Sequence, residues 1–310
     1  MQTNSQRNSE RLASSEEHTS VLLQEVLDGL AVEKNSVVVD ATVGGAGHLR
    51  EFADLLSEEG LLIGIDADPA ALERAEEALP TTKATLLLIP GNFRDIRDHL
   101  EGREVTEVTH VLFDLGWSGF QLTAGRGFSF LVDEPLLMTY GTPGEETLTA
   151  KDIVNTLDED KIADIIFAYG EERFARRIAK AIVSSREEKE IETTKELAAI
   201  VKHAVPVWYR HRKAHPATKT FQALRIAVND ELDALRDGLE GAVKVLAPGG
   251  KIAVITFHSI EDRIVKRFFE SLQRDGIGKP LTKKPIAPSK EELVENPRAR
   301  SAKLRVFVKS

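Results

Sequence analysis

The sequence predicts an α/β protein, a doubly wound parallel sheet interrupted by an inserted all-helical subdomain. Three observations carry this. Short apolar, β-branched runs alternate with helical segments over residues 37–115 and return at 251–257. Three of those runs end on an acid followed by a turn, at Asp40, Asp66 and Asp114. Between the two stretches, residues 149–204 carry helical periodicity without a strand signal. A chain of 310 residues is long enough for such a division.

Composition bounds the function classes. With 42% hydrophobic and 29% charged residues the chain can bury a full core. It has no apolar run of the ~18 residues that a membrane span needs. Residues 1–17 are polar throughout and are expected to be a disordered leader. There is no cysteine, which excludes disulfides and thiolate-bound metals and fits a reducing, cytoplasmic setting. The histidines show no close pair at ligand spacing, so no metal site is expected.

The net charge of −9 argues against a nucleic-acid partner, but it hides an asymmetry. Lys202, Arg210, Arg212, Lys213, Lys219 and Arg225 fall in a window without an acid, and residues 261–310 carry thirteen basic against seven acidic side chains. A local positive field is what phosphate binding requires, although charge runs are also ordinary solvated surface.

Taken in order, residues 18–30 read as an amphipathic helix ending near Gly29. The stretch VVVDATVGGAGH, residues 37–48, is a strand running into a glycine-rich turn. Backbone without Cβ lets a nucleoside approach closely at such a turn, though glycines also make ordinary tight turns. A helix over 48–56 points its N-terminus at that turn. The second strand, 61–66, ends in Asp66 about twenty residues on, the spacing at which an acid accepts hydrogen bonds from a ribose; Asp66 is alternatively a cap for the helix over 69–79. A third strand is expected at 85–89, leading to Gly91, Asn92 and Phe93, and a fourth at 108–115. In a doubly wound sheet Asp40, Asp66 and Asp114 share one edge and converge on one crevice.

A glycine-rich loop then spans 116–144, followed by helices separated at Gly170 and capped late by Thr193 and Thr194. Residues 220–245 read as one long helix, LAPGG at 246–250 as a turn, and 251–257 as a strand with His258, Ser259, Glu261 and Asp262 at its end. Residues 276–301 are a polar excursion, and 304–308 an added antiparallel strand.

Together the motifs resemble one family, the RsmH (MraW) S-adenosylmethionine-dependent methyltransferases acting on N4 of a cytidine in small-subunit ribosomal RNA. The matching blocks run nearly end to end and include HTSVLLQEVLDGL, DATVGGAGH, GIDADP, GNF, FDLG, RGFSF, YGEERFARRIAKAI, HPATKTFQALRIAVNDEL, LAPGGKIAVITFHSIEDRIVKRF and NPRARSAKLRV. The resemblance implies a Rossmann-like methyltransferase sheet, residues 18–135 and 216–310, with an inserted substrate-recognition domain at 136–215. It implies S-adenosyl-L-methionine as cofactor, held by Ala46, Gly47, His48, Asp66, Phe93, Asp114 and Gln121. The implied partner is a specific cytidine in the decoding region of 16S rRNA within the small ribosomal subunit; a second copy of the chain is a candidate partner, and a membrane is not expected. Three segments depart from the family pattern, the first being the glycine pair usual before the histidine, which is Ala46 and Gly47 here. Its usual GVSSPQ is GWSGFQ here, and its DGPLDMRM is DEPLLMTY, with Leu137 and Thr139 replacing an acid and an arginine.

Methyl transfer asks the protein mainly for positioning and a preorganised electrostatic site. An exocyclic cytosine amine is a poor nucleophile, so an acceptor on its hydrogens is needed. Asp114 with Ser118 in the turn after it are the first candidates, and His258 with Ser259 the second. Trp117 and Phe120 are candidates to stack an extruded base, with packing of the loop as the alternative. Arg212, Lys213, His215, Lys219 and Arg225 are candidates for phosphates, the last three alternatively tying the insertion to the sheet. A dehydrogenase is disfavoured because VGGAGH lacks the dinucleotide fingerprint. A small-molecule methyltransferase would leave the basic windows unexplained. A non-catalytic ribosome-binding factor would leave the acid-lined edge unexplained.

Overall fold

The computed structural model describes residues 20–79, 81–116, 125–141, 144 and 147–310. Seven strands form one sheet: β1 (Val37–Asp40), β2 (Leu61–Asp66), β3 (Thr85–Pro90), β4 (Val108–Asp114), β5 (Leu246–Thr256), β6 (Gly278–Pro280) and β7 (Lys303–Lys309). Their spatial order is β3-β2-β1-β4-β5-β7-β6. Strands β1 to β5 pair in parallel, and β7 inserts antiparallel between β5 and β6. The central strands are nearly continuous β-branched and leucine runs because helices cover both faces.

The order reverses between β1 and β4, and an open sheet of this kind leaves a crevice at that switch point. Register places the acids along it. Asp40 pairs with Leu112, two residues before Asp114, and with Gly64, two before Asp66.

One face of the sheet is covered by α1 (Leu23–Leu30), α2 (Gly47–Leu55) and α3 (Pro69–Ala78), with Val26, Leu30, Leu49 and Phe52 fully buried. The other carries α4 (Ile96–Glu101), with Ile96 and Leu100 in its core. The helix expected over 18–30 is observed from Leu23 only, and residues 18 and 19 lie outside the described part.

The insertion contains α5 (Ala150–Thr156), α6 (Glu159–Gly170), α7 (Ala175–Glu188), α8 (Thr194–Ala204) and the short α9 (Val207–Arg210). These helices share a hydrophobic cluster of their own, which also takes in Phe128, Leu136, Ala217, Phe221 and Leu224. Capping boxes start two of them, Thr149 with Asp152 and Thr193 with Glu196. Gly170 closes α6 because the Lys219 backbone passes there, 2.6 Å from where a Cβ would sit.

Chain 220–245 is not one helix. It divides into α10 (Thr218–Asn229) and α11 (Glu231–Val245), broken at Asp230, whose φ of 48° is left-handed. Aspartate tolerates that conformation, and Arg94 Nη2 donates to its Oδ2 at 2.7 Å. Segment 246–250 is likewise part of β5: Val108 pairs with Leu246 and His110 with Lys251, so the extra residues bulge out of the strand. Finally α12 (Ser259–Arg274) packs on the α11 side of the sheet through Val265 and Phe269. The polar excursion holds β6 and α13 (Lys290–Glu295).

Candidate active site

The glycine turn after β1 is stitched to the end of β2 by one carboxylate. Gly44 N–H donates to Asp66 Oδ2 and Asp68 N–H to Asp66 Oδ1, both at 2.8 Å. Each oxygen keeps acceptor capacity for a further donor. Burial pushes the Asp66 carboxyl up, and the two backbone N–H groups pull it back down. Asp66 does not cap α3; Asp68 does, accepting from Ala70 N–H at 3.3 Å. Ala46 takes a left-handed φ of 61° immediately before Gly47 and His48, so the turn bends sharply into α2.

Thr42 joins Asp40 to Asp114. Its N–H donates to Asp40 Oδ1 at 3.1 Å, and its hydroxyl accepts from Asp114 N–H at 2.7 Å. His48 reaches the same point from α2. Its Nε2 lies 3.1 Å from the Val21 carbonyl, which assigns the proton to Nε2 and turns Nδ1 toward Asp114 Oδ2, 3.6 Å away. Asp114 Oδ1 is buried with no hydrogen-bond partner among the described residues. Burial, followed by the charges of Asp40 and Glu261, holds the Asp114 carboxyl well above the usual range.

The Asp40 carboxyl is pushed up to about 7 by burial, with the Asp66 charge adding to it and the Thr42 N–H opposing. Between the unfolded value near 4 and about 7, the folded protein holds a proton that the unfolded chain releases. Stability from this group therefore falls as pH rises through that window. Asp40→Asn, which keeps the acceptor for Thr42, is expected to raise stability at pH 8 by on the order of 2 kcal/mol and to give no gain at pH 4. Melting curves at both pH values check this, and an equal gain at the two would overturn it.

Phe93 follows β3 and stands edge-on to Phe113 of β4, ring centroids 5.6 Å apart. Gly238 of α11 lets it sit there, since a Cβ would come within 2.8 Å of the Phe93 ring. Phe113 is fully buried, which stabilises by ~1.5–3 kcal/mol and makes a rigid backing for Phe93. Phe93 stands three residues after Pro90, which pairs with Asp66 at the end of β2. Gln121, Ser118, Trp117 and Phe120 fall outside the described residues.

At the end of β5, His258 caps α12. Its Nδ1 accepts from Glu261 N–H at 3.3 Å, while Glu261 Oε2 takes the N–H groups of Phe257 and His258. His258 Nε2 is 3.1 Å from Glu261 Oε1. Ser259 is committed elsewhere: its hydroxyl donates to Glu171 Oε2 at 2.7 Å, beside Arg263 on Oε1. Glu231, His258 and Glu261 hold their ligand-type atoms within 4.8 Å of one another. Yet Glu231 is engaged by Arg225 and Tyr140, and Glu261 by two backbone amides. A buried guanidinium beside the group also opposes a cation, so the arrangement reads as a hydrogen-bond network.

The phosphate candidates separate. Arg212 and Lys213 are exposed. His215 stacks on Phe130 at 4.6 Å and accepts from Ala217 N–H. Lys219 Nζ donates to the Glu171 carbonyl at 2.7 Å, which ties α10 to the end of α6. Arg225 departs from the phosphate expectation: it is buried, with Nε and Nη2 on the two oxygens of Glu231, both at 2.7 Å. Thr42, Tyr140 and Glu171 were not singled out by sequence. Only Thr42 had a signal, its place in the turn two residues after Asp40.

A parallel sheet of this order with a reversed β7, and a glycine turn locked to an acid at the switch point, defines the nucleoside-binding α/β class to which methyltransferases belong. The model of the MraW methylase family matches residues 15–310, and the chain belongs to that family. It is 51% identical to ribosomal RNA small subunit methyltransferase H of Deinococcus radiodurans over 97% of this chain and 93% of that one. The protein of the same name from Deinococcus deserti is 52% identical, covering 93% and 92%. The one from Persephonella marina is 50% identical, covering 94% and 98%.

Proposed function

We propose that the protein transfers a methyl group from S-adenosyl-L-methionine to the exocyclic N4 of a cytidine in the decoding region of 16S rRNA, in the cytoplasm. The likeness to small-subunit rRNA methyltransferases over nearly the whole chain supports the substrate. The observation that carries the chemistry is Asp114 Oδ1, a buried acceptor with no hydrogen-bond partner among the described residues at the sheet's switch point. A ligand amine fits it.

The cofactor supplies an electrophilic methyl group on a sulfonium. The turn at Ala46, Gly47 and His48 would present backbone to it, Asp66 would offer its remaining lone pairs to the ribose hydroxyls, and Phe93 would lie against the adenine. Gln121 keeps its assignment from the family pattern. Asp114 would orient the amine and take its proton as the methyl–nitrogen bond forms and the methyl–sulfur bond breaks, the electron pair of the latter leaving on sulfur as a neutral thioether; the raised affinity of this carboxyl for protons makes it a better base. His48 Nδ1 is next in line at 3.6 Å, a separation that a bound substrate can tighten. His258, turned toward Glu261, braces the opposite wall.

The helical insertion at 136–215, whose hydrophobic cluster also takes in Phe128, Phe221 and Leu224, is the substrate-recognition unit beside a sheet domain of 18–135 and 216–310. The test is transfer of labelled methyl from the cofactor to small subunits and to free rRNA in parallel, with mass spectrometry of the product. N4-methylcytidine is the expected product. Its absence from both substrates would remove the proposal.

A further inference from the structure

The surface of the insertion carries a basic stripe that the active site does not use. Arg173, Arg176, Arg177 and Lys180 recur at i, i+3, i+4 and i+7 and are all exposed, while Ala175, Ile178, Ala179 and Ile182 of α7 face the core. No acid interrupts residues 173–180. Asp160 lies 4.0 Å from Arg176, but with 88% and 87% of those side chains in solvent the pair leaves the guanidinium free to exchange partners.

At the head of the stripe sits an aromatic cluster. The Arg173 guanidinium is 4.6 Å from the centroid of Trp208, 4.9 Å from Phe174 and 5.7 Å from Tyr209. Arg212 stands 5.2 Å from the Tyr209 ring. Tyr209 is fixed by its hydroxyl, which donates to the buried Glu172 at 2.5 Å. Trp208 remains 56% exposed beside it. Two residues before Arg173, Glu171 receives Ser259 and Arg263 from the start of α12. The cluster therefore adjoins the wall that His258 caps.

We propose that Trp208, Arg173 and the stripe Arg176, Arg177 and Lys180 form a second RNA contact, stacking an unpaired base on the indole and holding its neighbouring phosphates. This rests on the rRNA reading above. An acidic peptide would suit the arginines but leave the exposed indole without a role. Duplex RNA offers phosphates, but its bases are already stacked. A single strand supplies both a π-face and a line of phosphates.

The experiment measures affinity of the full-length protein for small-subunit rRNA fragments and for the cofactor, across a salt series. Trp208→Ala is expected to weaken RNA binding by roughly 5- to 150-fold, the worth of one stacked base, and Trp208→Phe to restore most of it. Arg176→Glu with Arg177→Glu is expected to lower the slope of log affinity against log salt by about 1–2. Cofactor affinity and melting temperature are expected to stay at wild-type values in all three. RNA affinities equal to wild type in the variants overturn the surface while leaving the methyltransfer reading intact. A wild-type dimer that Trp208→Ala converts to monomer, with RNA affinity retained, makes Trp208 a subunit contact and also overturns it. A wild-type protein that neither binds nor methylates the RNA removes the rRNA reading itself.

Discussion

Asp114→Asn is expected to lower the methyl-transfer rate by about 10²–10⁴-fold while moving cofactor affinity far less. Asparagine keeps the shape and one acceptor oxygen, so an amine can still be oriented, but it cannot take a proton. The wild-type rate should depend on pH through this same group. Burial and the neighbouring Asp40 and Glu261 charges raise the Asp114 carboxyl, and the base works only when ionised. The rate therefore falls as pH drops through that raised value, and the variant loses the limb. Single-turnover transfer at saturating cofactor, measured across pH, checks both statements. An unchanged rate with an unchanged profile would take Asp114 out of the chemistry and leave it a cofactor contact.

The sheet edge was legible because its signals are local. Each of β1, β2 and β4 is an apolar run stopped by an acid and a turn, and parallel pairing then brings Asp66 and Asp114 level with each other, two residues beyond Asp40. What each acid does was less legible. Asp66 and Asp68 stand two residues apart before the same helix, and only hydrogen bonds show that the second caps it. The break at Asp230 was missed for a different reason. Apolar periodicity continues across it, and the Asn-Asp pair that tolerates a left-handed turn carries no glycine or proline to mark it. The stripe on α7 has plain helical spacing in the sequence. Its meaning depends on Trp208, whose exposure is a tertiary fact.

Arg225 shows most clearly why a count of charges cannot assign a phosphate site. Arg225 and Glu231 are six residues apart and in a continuous helix would point about 120° from each other. The break at Asp230 brings them face to face, with side chains only 6% and 9% exposed. Removing one partner leaves the other charge buried, so Arg225→Met is expected to lower stability by about 3–5 kcal/mol. Glu231→Gln keeps an acceptor for the Tyr140 hydroxyl, and the double variant should lose clearly less than the sum of the two single changes. The loss also reaches the active site, because Arg225 helps hold the Glu261 carboxyl below its usual range, behind the His258 contact and opposing burial. Denaturant titration of the four proteins gives the coupling. If Arg225 served phosphates, Arg225→Met would leave the unfolding midpoint in place and flatten the salt dependence of RNA binding. The bidentate contact with Glu231 predicts the reverse, a large drop in midpoint and a salt dependence that does not change.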